Sequence, residues 1–133
     1  LRLAERAHLT PTVRELTFVV SGPLSFAPGQ YLELEVPHRR ADGRGTRREF
    51  SIASAPEDLP ELKIAYREPA AGAPSSFKRA LAETPAGAEV RVTGVWGDFL
   101  LPSSTTAPVL LVAAGIGITP FVSQLRHHRL TDE

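Results

Sequence analysis

The apolar residues of this chain keep a period of two for about its first hundred positions and lose it at Val109. Leu16, Phe18 and Val20 alternate with Glu15, Thr17 and Val19. Leu32, Leu34 and Val36 alternate with Tyr31, Glu33 and Glu35, and Leu62, Ile64 and Tyr66 with Lys63, Ala65 and Arg67. Val90 and Val92 alternate with Arg91 and Thr93. Side chains of a strand point to opposite faces in turn, so this pattern predicts strands with one face buried. Turn signals separate them at Ser21-Gly22-Pro23, Ala27-Pro28-Gly29, Ala41-Asp42-Gly43 and Pro85-Ala86-Gly87. Short alternating strands with such punctuation predict a closed or nearly closed antiparallel barrel. One helix interrupts them: Ser75-Ser76 can cap it, Phe77 and Leu81 share a face, and it ends before Pro85.

From Val109 to Ala114 every residue is apolar. Such a run predicts a strand covered on both faces, as in a parallel sheet. Gly115-Ile116-Gly117-Ile118-Thr119-Pro120 follows, then a helix expected from Phe121 to about His128. Strand, glycine turn and helix make the first unit of an open α/β domain. One such unit cannot bury both faces of its strand. The expectation is therefore a barrel over 1–106 and the beginning of a truncated second domain over 107–133, with the boundary near Thr105–Pro108. The Ala/Pro/Gly-rich piece Pro69–Pro74 reads as a loop rather than a linker.

Composition narrows the function classes. The chain's 133 residues suffice for one domain with a core and are short for two. Fifteen basic residues balance fifteen acidic ones, which gives no global argument for nucleic acid or an anionic membrane. Without cysteine there are no disulfides, thiolate zinc sites or cysteine-ligated iron–sulfur clusters. No apolar run approaches the roughly 20 residues that span a bilayer. The opening Leu1-Arg2-Leu3-Ala4-Glu5-Arg6 is no signal peptide. A first residue other than methionine fits a piece cut from something larger, or processing or tagging.

Three segments can carry chemistry, and each has an ordinary reading beside the functional one. In Arg48-Glu49-Phe50-Ser51, period two puts Arg48 and Phe50 on one face. An arginine can form a bidentate pair with phosphate, worth about 4 kcal/mol at an effective dielectric near 20 before desolvation, and the ring can stack on a flat heterocycle. The ordinary reading is a surface arginine beside a core phenylalanine. In Gly72-Ala73-Pro74-Ser75-Ser76-Phe77-Lys78 a glycine loop enters a helix whose first turn carries hydroxyls, which suits an anion. The ordinary reading is helix capping. Gly115–Pro120 lacks the third glycine of a dinucleotide fingerprint, yet its glycines let backbone approach a ligand. A plain strand-to-helix turn is the alternative.

Taken in order along the chain, these segments resemble the ferredoxin–NADP reductase superfamily. Phe26-Ala27-Pro28-Gly29-Gln30-Tyr31 is similar to its F-x-P-G-Q-Y strand entry. Arg48-Glu49-Phe50-Ser51 is similar to its R-x-Y-S flavin motif, with Phe50 in place of tyrosine. Gly72–Ser75 is similar to its G-x-x-S phosphate segment, Gly94–Phe99 to its G-x-x-G-x-F barrel end, and Gly115–Pro120 to its G-I-G-I-T-P turn. Ala114 stands where many members have another glycine.

The resemblance implies a six-stranded antiparallel Greek-key barrel with one capping helix, followed by the first β-α unit of a nicotinamide-nucleotide domain. It implies FAD as cofactor, held by Arg48, Glu49, Phe50, Ser51, Tyr66, Gly72, Pro74, Ser75, Ser76 and Thr119. Arg48 would neutralise the pyrophosphate, Phe50 would pack on the isoalloxazine, and Ser51 is the catalytic candidate, beside flavin N5. Gly115, Gly117, Thr119 and Pro120 would face NAD(P)H, the electron donor of the complete protein. The implied partners are the nicotinamide nucleotide and a redox acceptor such as a ferredoxin or flavodoxin, or a membrane partner, with no nucleic acid. The implied place is the cytoplasm or the cytoplasmic face of a membrane.

Three functions compete at this level: an FAD-dependent NAD(P)H oxidoreductase, a non-catalytic flavin-bearing electron-transfer subunit, and a bare barrel binding nucleic acid or protein. Zero net charge and the glycine turn after Val109–Ala114 disfavour the last. The arginines at 39, 40, 44 and 47 read as a solvated turn or a docking surface. His127 and His128, adjacent on a helix, face different directions and read as surface residues rather than metal ligands. Trp96 reads as barrel-end packing.

Overall fold

The structure is a computed structural model that describes residues 1–69, 71–102, 104 and 106–131. Ala70 in the Pro69–Pro74 loop, Thr105 at the expected boundary, and the last two residues of the expected second domain lie outside the described residues. The strands are β1 (Arg2–Thr10), β2 (Val13–Val19), β3 (Tyr31–Glu35), β4 (Arg47–Ser51), β5 (Glu61–Arg67) and β6 (Arg91–Trp96). The helices are α1 (Ser76–Glu83) and α2 (Thr119–Thr131).

The strands form two three-stranded antiparallel sheets, ordered β1-β2-β5 and β4-β3-β6. They do not form one closed six-stranded sheet. The sheets meet at two seams of one isolated bridge each, Ile52 with Ile64 and Arg2 with Glu89. Ala53 N–H donates to Lys63 O at 2.7 Å across the first seam, and Leu3 N–H to Ala88 O at 2.9 Å across the second. Beyond the first seam, Pro56, which has no N–H to donate, opens a 3-10 turn over Pro56–Asp58.

Register explains the core. Leu16 faces Ile64 and Phe18 faces Leu62; Leu32 faces Phe50 and Leu34 faces Arg48. The alternating residues Leu16, Phe18, Leu32, Leu34, Leu62 and Ile64 are fully buried, with Phe77 and Leu81 of α1 added to the same cluster. Ser75 caps α1 by accepting from Lys78 N–H at 3.3 Å. The other end of α1 is held by Arg6, whose guanidinium donates to Leu81 O at 3.0 Å and also contacts Thr84 O, a cation where the helix dipole favours one.

The Phe26–Tyr31 segment is a hinge of the packing. Gln30 accepts from Ala27 N–H at 2.8 Å and donates to Gly97 O at 3.0 Å. Gly29 has φ +101°, and a Cβ there would lie 2.0 Å from Phe99 O. Trp96, at the end of β6, lies 6.3 Å from the Tyr31 ring and stays exposed.

One expectation fails. Val109–Ala114 is not a strand. Leu110 is 87% exposed and Val112 77% exposed. A strand of this composition needs neighbours that pair with it and cover both faces, and none of the described strands pairs with it. The glycine turn becomes a 3-10 turn over Gly115–Ile118, and the helix is longer than expected. Helix α2 docks on the segments that follow β4 and β6, through Ser123 Oγ–H to Ser54 O at 2.7 Å and Gln124 Nε2 to Phe99 O at 2.6 Å. Arg126 grips both Asp58 oxygens, at 2.9 and 2.7 Å. His127 lies 2.8 Å from Glu57. No helix among the described residues is long and apolar enough to cross a membrane.

Candidate functional site

Strand β4 runs exposed, buried, exposed, buried from Arg47 to Phe50. Arg48 and Phe50 therefore point inward together. The Phe50 ring meets Tyr66 of β5 edge-on at 6.4 Å and tilts against Phe77 of α1 at 5.9 Å. The Arg48 guanidinium carbon lies 5.3 Å from the centre of the Phe77 ring, within range of a cation–π attraction. Burial pushes the Tyr66 phenol above its ordinary value.

These side chains open onto a cavity of about 370 Å³. Arg48, Glu49, Phe50 and Ser51 line it from β4, Tyr66 from β5, Ser75 from the α1 cap, and Gly117 and Thr119 from the turn into α2. Segments far apart in sequence thus converge on one slot. Thr119 is buried and donates to Ile116 O at 2.7 Å, which fixes the turn. Gly72, Pro74, Gly115 and Pro120 do not line the slot. Gly72 has φ +86°, and nothing lies within 4 Å of where a Cβ would stand, so its part is to turn the loop toward α1.

Ser76 is placed differently from Ser75. It is buried, and its Oγ lies 3.1 Å from His38 Nε2 while accepting from Asp42 N–H at 3.0 Å. Its hydroxyl ties the loop after β3 to the helix instead of opening on the slot. Arg48 is also engaged. Its Nη1 donates to the carbonyls of Arg44, Gly45 and Arg47 at 2.9, 3.1 and 2.6 Å. Its Nη2 donates to Asp42 Oδ1 at 2.8 Å. The Arg44 N–H bond, with help from Arg48 and Ser76, holds the Asp42 carboxyl below the usual carboxylate range.

Sequence reasoning missed four of the groups here: Phe77 as the floor, Lys78 and Arg67 as further cations on the rim, and Asp42 as the partner of Arg48. Lys78 is pulled below its usual value by burial, with Arg44 and Arg67 adding to the effect. Its position one turn into a capped helix was the available signal. Of the remaining arginine cluster, Arg47 pairs with Glu35 at 3.3 Å, while Arg39 and Arg40 stay exposed.

The slot gathers aromatic rings, hydroxyls, cations and the start of a helix, groups that can together receive a flat heterocycle carrying phosphate. No family model matches the chain. Ferredoxin–NADP reductase B of Sorangium cellulosum (strain So ce56) is 36% identical over 94% of this chain and 50% of its own length. Among solved structures, the Amycolatopsis cytochrome P450 reductase GcoB aligns with TM-score 0.76 and 30% identity, over 94% of this chain and 37% of that one. Phthalate dioxygenase reductase, described as a modular structure for electron transfer from pyridine nucleotides to [2Fe-2S], aligns with TM-score 0.79 and 25% identity, over 98% of this chain and 39% of that one. Along nearly its whole length the chain is similar to reductases of the ferredoxin–NADP reductase type. It spans half or less of the length of each of these relatives.

Proposed function

We propose that this chain is the FAD-binding part of an NAD(P)H-dependent oxidoreductase. The observation that carries the reading is the convergence of β4, β5, the α1 cap and the Gly115–Pro120 turn on one slot. Residues 1–106 are the flavin barrel, in effect six strands whose two sheets are stitched at both seams, and 107–133 open the nicotinamide-nucleotide domain. Ser75, the free N–H groups of the first turn of α1, Lys78 and Arg48 take the diphosphate. Phe50 and Tyr66 hold the ring system, and the Ser51 hydroxyl is offered to flavin N5. Gly117 and Thr119 form the side from which a nicotinamide would arrive, with Gly115 and Pro120 setting that turn.

The chemistry supplied by bound FAD is acceptance of hydride from a nicotinamide and release of electrons singly or in pairs. The side chains supply position, charge and exclusion of water; no acid–base pair is required of them. The acceptor in this reading is a ferredoxin-like or oxygenase partner protein, since reductases of such systems are the relatives, and the compartment is the cytoplasm or the cytoplasmic face of a membrane. Titrating the folded chain with FAD and following the flavin absorption bands tests the reading. Saturable spectral change is expected; a folded chain that leaves the flavin spectrum unaltered refutes it.

A further inference from the structure

We infer that Asp42 is a built-in competitor for the phosphate-binding arginine, and that it sets how tightly this site holds a diphosphate-bearing flavin. The inference rests on the FAD reading above and adds a residue that tunes it.

Arg48 does not need Asp42 for its placement. Three backbone carbonyls already hold Nη1, all within 3.1 Å, and the Phe77 ring lies beneath the guanidinium. Asp42 adds a full negative charge on Nη2, at 2.8 Å. The carboxylate is itself anchored: Oδ1 also accepts from Arg44 N–H at 3.0 Å, and Asp42 N–H is tied to Ser76 Oγ at 3.0 Å. Ser76 is in turn in contact with His38, whose Nδ1 lies 2.7 Å from Val36 O. Gly45 N–H donates to Asp42 O at 2.8 Å and closes the loop. The loop after β3 thus carries its carboxylate on the guanidinium that lines the slot.

A diphosphate that reaches Arg48 meets a cation already paired. It must share the guanidinium with Asp42 or displace it, and either way it feels a like charge close by. Two anions on one guanidinium lie within about 7 Å of each other, and at an effective dielectric midway between protein and water that repulsion changes affinity by about fivefold to tenfold. Arg44, Arg67 and Lys78 on the same rim attract the diphosphate, so binding persists and Asp42 sets its level.

Asp42→Asn removes the charge and keeps an oxygen able to accept from both Arg44 and Arg48; Asp42→Ala removes charge and acceptor together. The dissociation constants of FAD and of riboflavin, which has the ring but no phosphate, are measured by flavin fluorescence for the chain and both variants at low salt. FAD affinity is expected to rise about fivefold to tenfold in both variants, with the gain shrinking as salt is added, and riboflavin affinity to stay as it is. If one variant fails to fold, the other carries the same expectation. Unchanged or weakened FAD binding by a folded variant overturns the inference, as does an equal change for FAD and riboflavin, which would mark a general loosening of the slot. If neither the chain nor its variants change the spectrum or fluorescence of either flavin, the flavin reading itself fails and the inference falls with it.

Discussion

Gly29→Ala is the substitution whose cost the geometry fixes most closely. A Cβ at Gly29 would stand 2.0 Å from Phe99 O and 2.5 Å from Gln124 Nε2, on backbone with φ +101°. The carbonyl cannot retreat without losing its bond from Gln124 at 2.6 Å. The left-handed backbone costs about 1–2 kcal/mol with a side chain, the overpacking about 1–3 kcal/mol, and the lost hydrogen bond about 1 kcal/mol. The sum is about 3–6 kcal/mol, a large share of the stability of a domain this size. A fall in Tm of about 10–20 °C by circular dichroism is expected from that loss. Gly22→Ala is the control, because nothing lies within 4 Å of its Cβ position and its backbone is not left-handed; its Tm should move by only a few degrees. Equal Tm values for Gly29→Ala and the unaltered chain would refute the close approach between the Phe26–Tyr31 segment, Phe99 and α2.

Arg48→Ala should weaken FAD binding by about tenfold to a hundredfold, the range for losing a charge-assisted contact. It should also destabilise the fold by about 1–3 kcal/mol, because it takes one donor from Asp42 and one from each of three carbonyls; calorimetry of the unliganded variant checks this. Asp58 is held below the usual carboxylate range chiefly by its bond from Arg126. A depressed carboxyl stabilises the fold above its ordinary pKa, and that contribution is lost as pH falls through the folded-state value. The stability deficit of Asp58→Asn, read as a fall in Tm, should therefore be present near neutral pH, amount to no more than about 1 kcal/mol for a pair whose arginine is half exposed, and shrink toward pH 3. A deficit that grows on acidification would contradict the pairing.

The parts of the fold legible in the sequence are those with one buried face. Strands β2, β3 and β5 stand where Leu16, Leu32 and Leu62 began an alternation, and the inward pairing of Arg48 with Phe50 follows from the same period. Strand β1 was not legible, because Leu3 is its one fully buried residue and the rest of its length faces outward or half outward. Val109–Ala114 misled for the opposite reason: composition demands two covering layers, and none of the described strands supplies them. In the site, residue types on one strand or at one helix cap could be read directly. The grip of Asp42 on Arg48, the diversion of Ser76 to the loop, and the seat of Arg6 beneath α1 could not, since each is a tertiary contact that no local period encodes. Arg48 is correspondingly a structural residue as well as a candidate ligand.

The central claim is that one particular slot receives FAD, and amide chemical-shift mapping of the labelled chain during an FAD titration tests it most directly. Larger recesses of about 850 Å³ and 630 Å³ lie elsewhere, one bordered by Val20, Glu89 and Val95 and the other by Leu101, Leu111 and Leu125. Saturating shifts at Glu49–Ser51, Tyr66, Ser75–Lys78 and Gly117–Thr119 are the expected result. Shifts confined to either larger recess, with the β4 and α1 amides unmoved, would contradict the account.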